Sequence, residues 1–362
     1  NTGTVDLGNR INDAATVKLR GGTLTFLGRA QTASSETLGA VTIDAGLSTI
    51  TSTVGGTGVN SADLTLGSIT QTNYGVVNFT ANTGFGTIGS SGRVLITTNP
   101  TLSNNMIGPW AIVGGAEFAS YNATYGVGAL NTAGFAGYDA TTLPAASQSA
   151  QNVRITAAGA VPSVAASGGY MLNSLNLVAV GLTFTSDTNA LNLVSGGLLK
   201  SGAAASIGTT TAGQFGVLTA GGTAANGTTN LYIYNNANAL TINSRIVDTS
   251  VSVGSGTGNV RLVLAGAGSV VLTNGTNAYS GGTVLDGTTL TLSNAANTVV
   301  VPSGGLTLNN STVTMTVGQG QINSGNAPVL NGASTLTMFG TNTLAGLTFN
   351  VDGGAQTGPT EI

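Results

Sequence analysis

Along most of the chain, apolar residues alternate with threonine or asparagine. Leu24-Thr25-Phe26, Val41-Thr42-Ile43-Asp44, Leu64-Thr65-Leu66 and Leu231-Tyr232-Ile233-Tyr234 show the pattern, and Leu240-Thr241-Ile242-Asn243, Leu290-Thr291-Leu292 and Leu306-Thr307-Leu308-Asn309 repeat it. Val313-Thr314-Met315-Thr316-Val317 and Leu347-Thr348-Phe349-Asn350-Val351 carry it toward the end. A period of two puts one side-chain type on each face of an extended strand, so each stretch reads as a half-buried β-strand. Threonine suits the outer face because its branched side chain fits the pleat. Gly-Gly pairs at 21–22, 55–56, 114–115, 221–222, 281–282 and 304–305 punctuate the strands, as tight corners require. No stretch has the 3.6 periodicity and caps of a helix, so the chain is expected to be all-β.

The short strands fit a sandwich, a barrel or a solenoid. Three features favour a right-handed parallel β-helix: Asn and Thr recur beside Gly, aromatics are only 5%, and one short phrase ending in Leu-Thr-Leu returns many times. At roughly 20–25 residues per coil, the chain would make about 15–18 coils. The expected organisation is solenoid coils over 1–98, an irregular excursion or side lobe over 99–170, and further coils over 171–362. The excursion holds Pro100, Pro109, Pro144 and Pro162, which cannot donate to a sheet ladder. It also concentrates Trp110, Phe118, Tyr121, Tyr125, Phe135 and Tyr138. Either these aromatics pin a loop to the solenoid, or they form a contact surface for another subunit or a surface glycan.

Composition narrows the chemistry. Charged residues are 6% of the chain, against about 25% in ordinary soluble proteins. Hydrophobic residues remain at 41%, enough to build a core. The net charge of −3 comes without any basic stripe, so nucleic acid is not an expected partner. No apolar run reaches the roughly 18 residues of a membrane-spanning helix. The chain has neither cysteine nor histidine, which removes thiol chemistry and the commonest general base and metal ligand. No cofactor is expected.

Residues 274–292 resemble the passenger-associated, or autotransporter-associated, β-strand repeat. The resemblance rests on Asn277-Ala278-Tyr279-Ser280-Gly281-Gly282-Thr283, then Gly287 and the strand Thr289-Leu290-Thr291-Leu292. Leu262 to Leu272 resembles the strand pair that precedes this repeat. Leu102-Ser103-Asn104-Asn105-Met106-Ile107-Gly108-Pro109-Trp110-Ala111, with Phe118-Ala119-Ser120-Tyr121, is similar to segments of very long repeat-rich surface proteins of Gram-negative-type bacteria, planctomycete and verrucomicrobial groups included. The resemblance implies a β-helical passenger, extracellular or displayed on the outer cell surface. The chain departs from an entire autotransporter in ending at Thr360-Glu361-Ile362, without a run of membrane strands. Beginning at Asn1, it reads as a mature or excised portion of a precursor.

Catalytic arrangements are sought without success. Polysaccharide-active β-helices need clustered carboxylates with basic partners. The only loose cluster is Arg245, Asp248 and Arg261, which fits strand-end charges better than a lyase site. Lys200 beside Ser201 could suggest a Ser-Lys pair, but neighbouring strand residues point to opposite faces. Gly55-Gly56-Thr57-Gly58 and Gly254-Ser255-Gly256-Thr257-Gly258 lack the lysine and helix of a phosphate loop and read as turns. Val351-Asp352-Gly353-Gly354 is too short to be a calcium repeat. The expected function is therefore a non-catalytic structural or adhesive surface protein. A carbohydrate-binding or polysaccharide-active β-helix is the alternative. Residues 1–7 and 347–351 both read as uncapped strands, so copies or neighbouring repeats are expected to join end to end into a fibre.

Overall fold

The computed structural model describes residues 9–56, 61–81, 91–164, 168–223, 226–249, 258–351 and 360–361. The segments expected at 1–7, 57–58 and 254–257, and the Gly-rich stretch beyond Val351, lie outside the described residues. All the elements named among the described residues are strands. The chain divides into two compact units, Asn1–Gly137 and Tyr138–Ile362.

Unit 1 contains β1 (Val17–Leu19), β2 (Thr23–Leu27), β3 (Ala33–Asp44), β4 (Leu47–Thr53), β5 (Ser61–Thr72), β6 (Val76–Thr80), β7 (Gly92–Ile96), β8 (Ala111–Val113), β9 (Glu117–Asn122) and β10 (Gly126–Ala129). The chain alternates between two sheets. Sheet A has the order β1-β3-β5-β7, and sheet B has the order β10-β9-β8-β6-β4-β2. Pairing is parallel except for β8 with β9 and β9 with β10. Leu38 lies opposite Leu66, and Leu66 opposite Ile96. Ile50 lies opposite Phe79. All five are buried in one core shared by the two sheets.

Unit 2 opens with β11 (Gln148–Ile155), β12 (Gly159–Ala160), β13 (Tyr170–Val178), β14 (Leu182–Thr183), β15 (Ala190–Ser201), β16 (Ala205–Ile207), β17 (Val217–Ala220), β18 (Thr228–Asn235), β19 (Leu240–Ile242) and β20 (Arg245–Ile246). It continues with β21 (Asn259–Ala265), β22 (Ser269–Leu272), β23 (Thr283–Asp286), β24 (Thr289–Leu292), β25 (Leu306–Asn309), β26 (Thr312–Met315), β27 (Val329–Asn331), β28 (Thr335–Thr337), β29 (Thr348–Asn350) and β30 (Thr360–Glu361). Sheet C follows β11-β13-β15-β18-β21-β23-β25-β27-β29, with β17 and β20 beside it; sheet D follows β12-β14-β16-β19-β22-β24-β26-β28-β30. All of these ladders are parallel, and successive strands alternate between the sheets except at β17–β18 and β20–β21, where both strands lie on the sheet C side.

The register explains the sequence period. In sheet C, Val153, Leu175, Leu198, Ile233, Leu264, Leu285, Leu308, Leu330 and Phe349 lie opposite one another from strand to strand. The facing column in sheet D is Leu240, Val270, Leu290, Val313 and Leu336. Both columns bury into one core, except at Phe349, the last member. A one-residue slip would turn every one of these side chains to solvent, so the alternation fixes the register. Three strand ends differ from expectation. The strand read through Val317 stops at Met315, and the one read as 347–351 spans only Thr348–Asn350. The antiparallel β8–β10 segment breaks the parallel order that the remainder keeps.

Candidate contact surfaces

The 99–137 stretch closes one end of unit 1. After Ser103 and Met106 exchange backbone hydrogen bonds, β8 adds to β6 in parallel and the chain then doubles back through β9 and β10. Tyr121 explains the reversal. Its hydroxyl donates to the Ile96 carbonyl at 2.8 Å and accepts from the Ile96 N–H at 3.1 Å. One side chain thereby satisfies both backbone groups of a residue on the last strand of sheet A, where another strand would otherwise pair. Gly126 sits close enough that a Cβ would lie 2.4 Å from the Val94 carbonyl oxygen. Arg93 fastens the same edge: it pairs with Asp63 through Nε at 2.8 Å and donates through Nη1 to the Thr124 carbonyl at 3.1 Å.

The six aromatics singled out in the sequence are placed as follows. Phe118 is fully buried; Trp110, Tyr121, Tyr125, Phe135 and Tyr138 are half-buried. Phe135 lies on Gly128, whose Cβ would meet the ring at 2.2 Å, and it makes a tilted pair with Tyr125 at 6.4 Å between centroids. Trp110 lies against Gly108, with Nε1 2.4 Å from where a Cβ would stand. Tyr138 begins unit 2, where its hydroxyl accepts from Asn176 at 3.0 Å.

Both units turn from one sheet to the other through the same device. An inward apolar residue is followed by a polar one, then by a residue with positive φ. In unit 1 the sequence is Ile43-Asp44-Ala45, with φ 51° at Ala45, and earlier Leu19-Arg20-Gly21, with φ 70° at Gly21. In unit 2 it is Leu285-Asp286-Gly287, Leu308-Asn309-Asn310 and Leu330-Asn331-Gly332, with φ 61°, 48° and 63°. The polar position is held differently in each. Asp44 is fully buried and receives Lys18 Nζ at 2.8 Å, Arg20 Nε at 2.7 Å, the Thr72 hydroxyl at 2.8 Å and the Asn73 amide. Burial alone would raise its pKa; the hydrogen bonds from Lys18, Arg20, Thr72 and Asn73 outweigh that and hold the carboxyl well below the usual carboxylate range. In unit 2, side-chain amides stack in one direction. Asn350 donates to Asn331 at 2.9 Å, Asn331 to Asn309 at 2.7 Å, and Asn309 to Asp286 at 2.7 Å.

The remaining charged groups serve the fold. Arg245, Asp248 and Arg261 make no ion pair with one another among the described residues. Arg245 donates to the Asp187 carbonyl at 3.2 Å, and Arg261 to the Asn230 side chain at 3.4 Å. Asp248 accepts from the Val260 N–H at 2.6 Å and from the Ser280 N–H and hydroxyl at 3.0 and 2.7 Å. It thus secures the Tyr279-Ser280-Gly281-Gly282 turn, where buried Tyr279 bonds the Thr283 hydroxyl at 2.8 Å. Lys200 is buried, and its ammonium donates to the Gly202 carbonyl at 3.3 Å and to that of Ala237, not to Ser201. Burial draws its pKa below the ordinary value. No group of three or more acidic residues able to hold a metal occurs among the described residues.

Two edge strands complete the inventory. Among the described residues β29 pairs only with β27, and β1 only with β3. Phe349 is 41% exposed although every sheet C residue before it in its column is buried, and Val351 is 59% exposed. On β1, Val17 and Leu19 head the inward columns of Val41 and Ile43 and are half-buried. Ile11 and Leu27 are exposed in the same part of unit 1.

Sequence reasoning placed Tyr121 among the aromatics that could pin a loop, without its partner Ile96, and missed Asp44 as an anchor. A signal existed for Asp44: Arg20, Asp44 and Thr72 recur 24 and 28 residues apart, each ahead of a corner.

No family model matches the chain, and no solved structure matches it. The chain is 27% identical over 311 residues to the adhesin BmaC autotransporter of Brucella suis biovar 1 (strain 1330). The match covers 80% of this chain but only 8% of that protein's length.

Proposed function

We propose that this chain is a non-catalytic stretch of an autotransporter-type passenger, exposed at a bacterial cell surface and belonging to a fibre or adhesin. Its two parallel sheet pairs are the walls of right-handed β-helical coils, and it extends by adding coils end to end, to another copy or to neighbouring repeats. The observation that carries this reading is the nine-strand column from Val153 to Phe349. A unit that devotes its apolar residues to one continuous column, with amides stacked beside its last four strands, builds length instead of a cleft. Similarity to an adhesin passenger supports the surface location. The dispersal of its charged groups into corner and turn contacts supports a role without turnover.

Electron microscopy of the purified chain tests the proposal. Filaments one molecule wide that lengthen with concentration are the expected result. Uniform single particles at high concentration would overturn end-to-end extension. Cleavage of a polysaccharide panel by the same preparation would overturn the non-catalytic assignment.

A further inference from the structure

The outer face of sheet D carries a two-dimensional grid of threonines. On β24, β26 and β28, buried residues alternate with Thr289 and Thr291, Thr312 and Thr314, Thr335 and Thr337. The ladders set Thr289, Thr312 and Thr335 in one column and Thr291, Thr314 and Thr337 in a second. β22 extends the first column by Ser269. Neighbours stand about 4.8 Å apart across strands and about 6.6 Å apart along a strand. All six threonines reach the surface. Among the described residues, none of their hydroxyls has a hydrogen-bond partner in the protein.

Strand propensity alone does not produce such a face. On the outer side of sheet C, one column is Tyr232, Val263, Val284, Thr307 and Val329, with Tyr232, Val263 and Val284 buried. Threonines next to the grid spend their hydroxyls on the fold: Thr273 donates to the Ile242 carbonyl at 3.2 Å and Thr288 to that of Gly268 at 3.1 Å. In unit 1, Thr51 and Thr80 also lie on an outer sheet face, but their hydroxyls bond each other at 2.6 Å. The sheet D grid alone keeps whole rows of hydroxyls turned outward and uncommitted.

Its chemistry limits what it can take. Branching at Cβ restricts each threonine's χ1, so the methyls and hydroxyls are ordered before a ligand arrives. No charged side chain occurs between Asp286 and Asp352, so no strongly hydrated group interrupts the grid's own strands. No aromatic ring stands inside the grid for a sugar to stack on, Phe339 lying beyond the end of β28. A matching ligand is therefore neutral, repeats in two directions, and both donates and accepts hydrogen bonds. Ice has this chemistry, and the two spacings of the grid lie near the oxygen repeats on the prism face of hexagonal ice. We infer that the outer face of sheet D binds ice, with its two threonine columns aligned on that lattice. This goes beyond the surface role proposed above and does not depend on end-to-end assembly.

Thr314→Lys tests the assignment at the centre of the grid, with Thr25→Lys, at an exposed position of unit 1, as the control. Thr314 lies on the surface, so the variant should fold, which an unchanged melting temperature checks; if it melts early, Thr291→Lys in the same column replaces it. Wild type should facet single ice crystals and halt the coarsening of polycrystalline ice in a thin film. Thr314→Lys should need about tenfold more protein or more for the same arrest, because it sets a hydrated ammonium against a neutral lattice. Thr25→Lys should act as wild type. Wild-type films that coarsen as buffer does, or a folded Thr314→Lys as potent as wild type, would overturn the assignment. So would a Thr314→Lys protein that loses side-by-side association of copies, or retention on chitin, while its action on ice is unchanged; the face would then belong to a second copy or to a polysaccharide.

Discussion

Sheet A of unit 1 and sheet C of unit 2 end differently. β7 ends sheet A, and a folded-back hairpin with the Tyr121 hydroxyl on Ile96 takes the place of the next strand. β29 ends the sheet C path with Phe349 and Val351 exposed. The corners differ in the same spirit. Unit 1 gathers two cations, a hydroxyl and an amide on Asp44. Over its last four sheet C strands, unit 2 repeats one amide contact that starts on the Asp286 carboxylate. A charged hub is specific but saturates after one site, because a second buried carboxylate beside it would repel the first. An amide donates and accepts at once, so the same contact can repeat from strand to strand. The difference teaches that a stack can be held by one charged hub or by a repeated amide contact, while the end of sheet A is set by the Tyr121 contact on β7 and not by the Asp44 corner two strands earlier.

The comparison breaks most readily in the core of unit 2. Leu308→Ala removes a buried member of the long column and should cost about 2–5 kcal/mol. Hydrogen exchange read by mass spectrometry should show the loss in sheets C and D, with residues 17–80 unchanged; an equal rise in exchange in both units would erase the distinction between them. Asn309→Asp comes next. It replaces the donor facing Asp286 with a second carboxylate and should cost about 3 kcal/mol at neutral pH. Like-charge repulsion raises the pKa of the new group, so the cost should fall as the solution is acidified, which a melting series in pH would record.

Unit 1 should respond to acid in the reverse sense. The Asp44 carboxyl sits below its unfolded value of about 3.9, so its contribution is fully present above that pH and is lost as pH falls further toward the folded value. Asp44→Asn should cost about 1–3 kcal/mol near neutrality and should remove that acid-sensitive component from exchange over residues 17–80. An Asp44→Asn protein with the acid profile of wild type would show that the hub does not govern this unit. The smallest effect is that of salt. Lys18 and Arg20 are half exposed, so raising salt should weaken unit 1 by less than about 1 kcal/mol and leave the exchange of the Asn309 to Asn350 ladder unaltered.

Much of the fold was legible. Leu64-Thr65-Leu66, Leu290-Thr291-Leu292 and Leu306-Thr307-Leu308-Asn309 fall inside β5, β24 and β25, because a period of two is enforced residue by residue when one face is buried. The corners were legible as glycine pairs, although Ala45 and Asn310 turn with positive φ and carry no such mark. Long-range partners were not. Asp44 meets side chains 24 to 29 residues away, and Tyr121 reaches back 25 residues to Ile96. Only the length of each pass sets these distances, and unequal loops hide it. The aromatic cluster near 110–138 was visible as composition, but its relation to glycines 108 and 128 depends on backbone approach that no local pattern encodes.

The claim that this chain grows by strand addition is tested most directly by a cryo-electron microscopy map of the assembled protein at strand resolution. The expected result is a strand repeat of about 4.8 Å that runs along each chain and across the junction between copies without a break. Copies that meet through their sides, or a gap in that repeat at the junction, would contradict it.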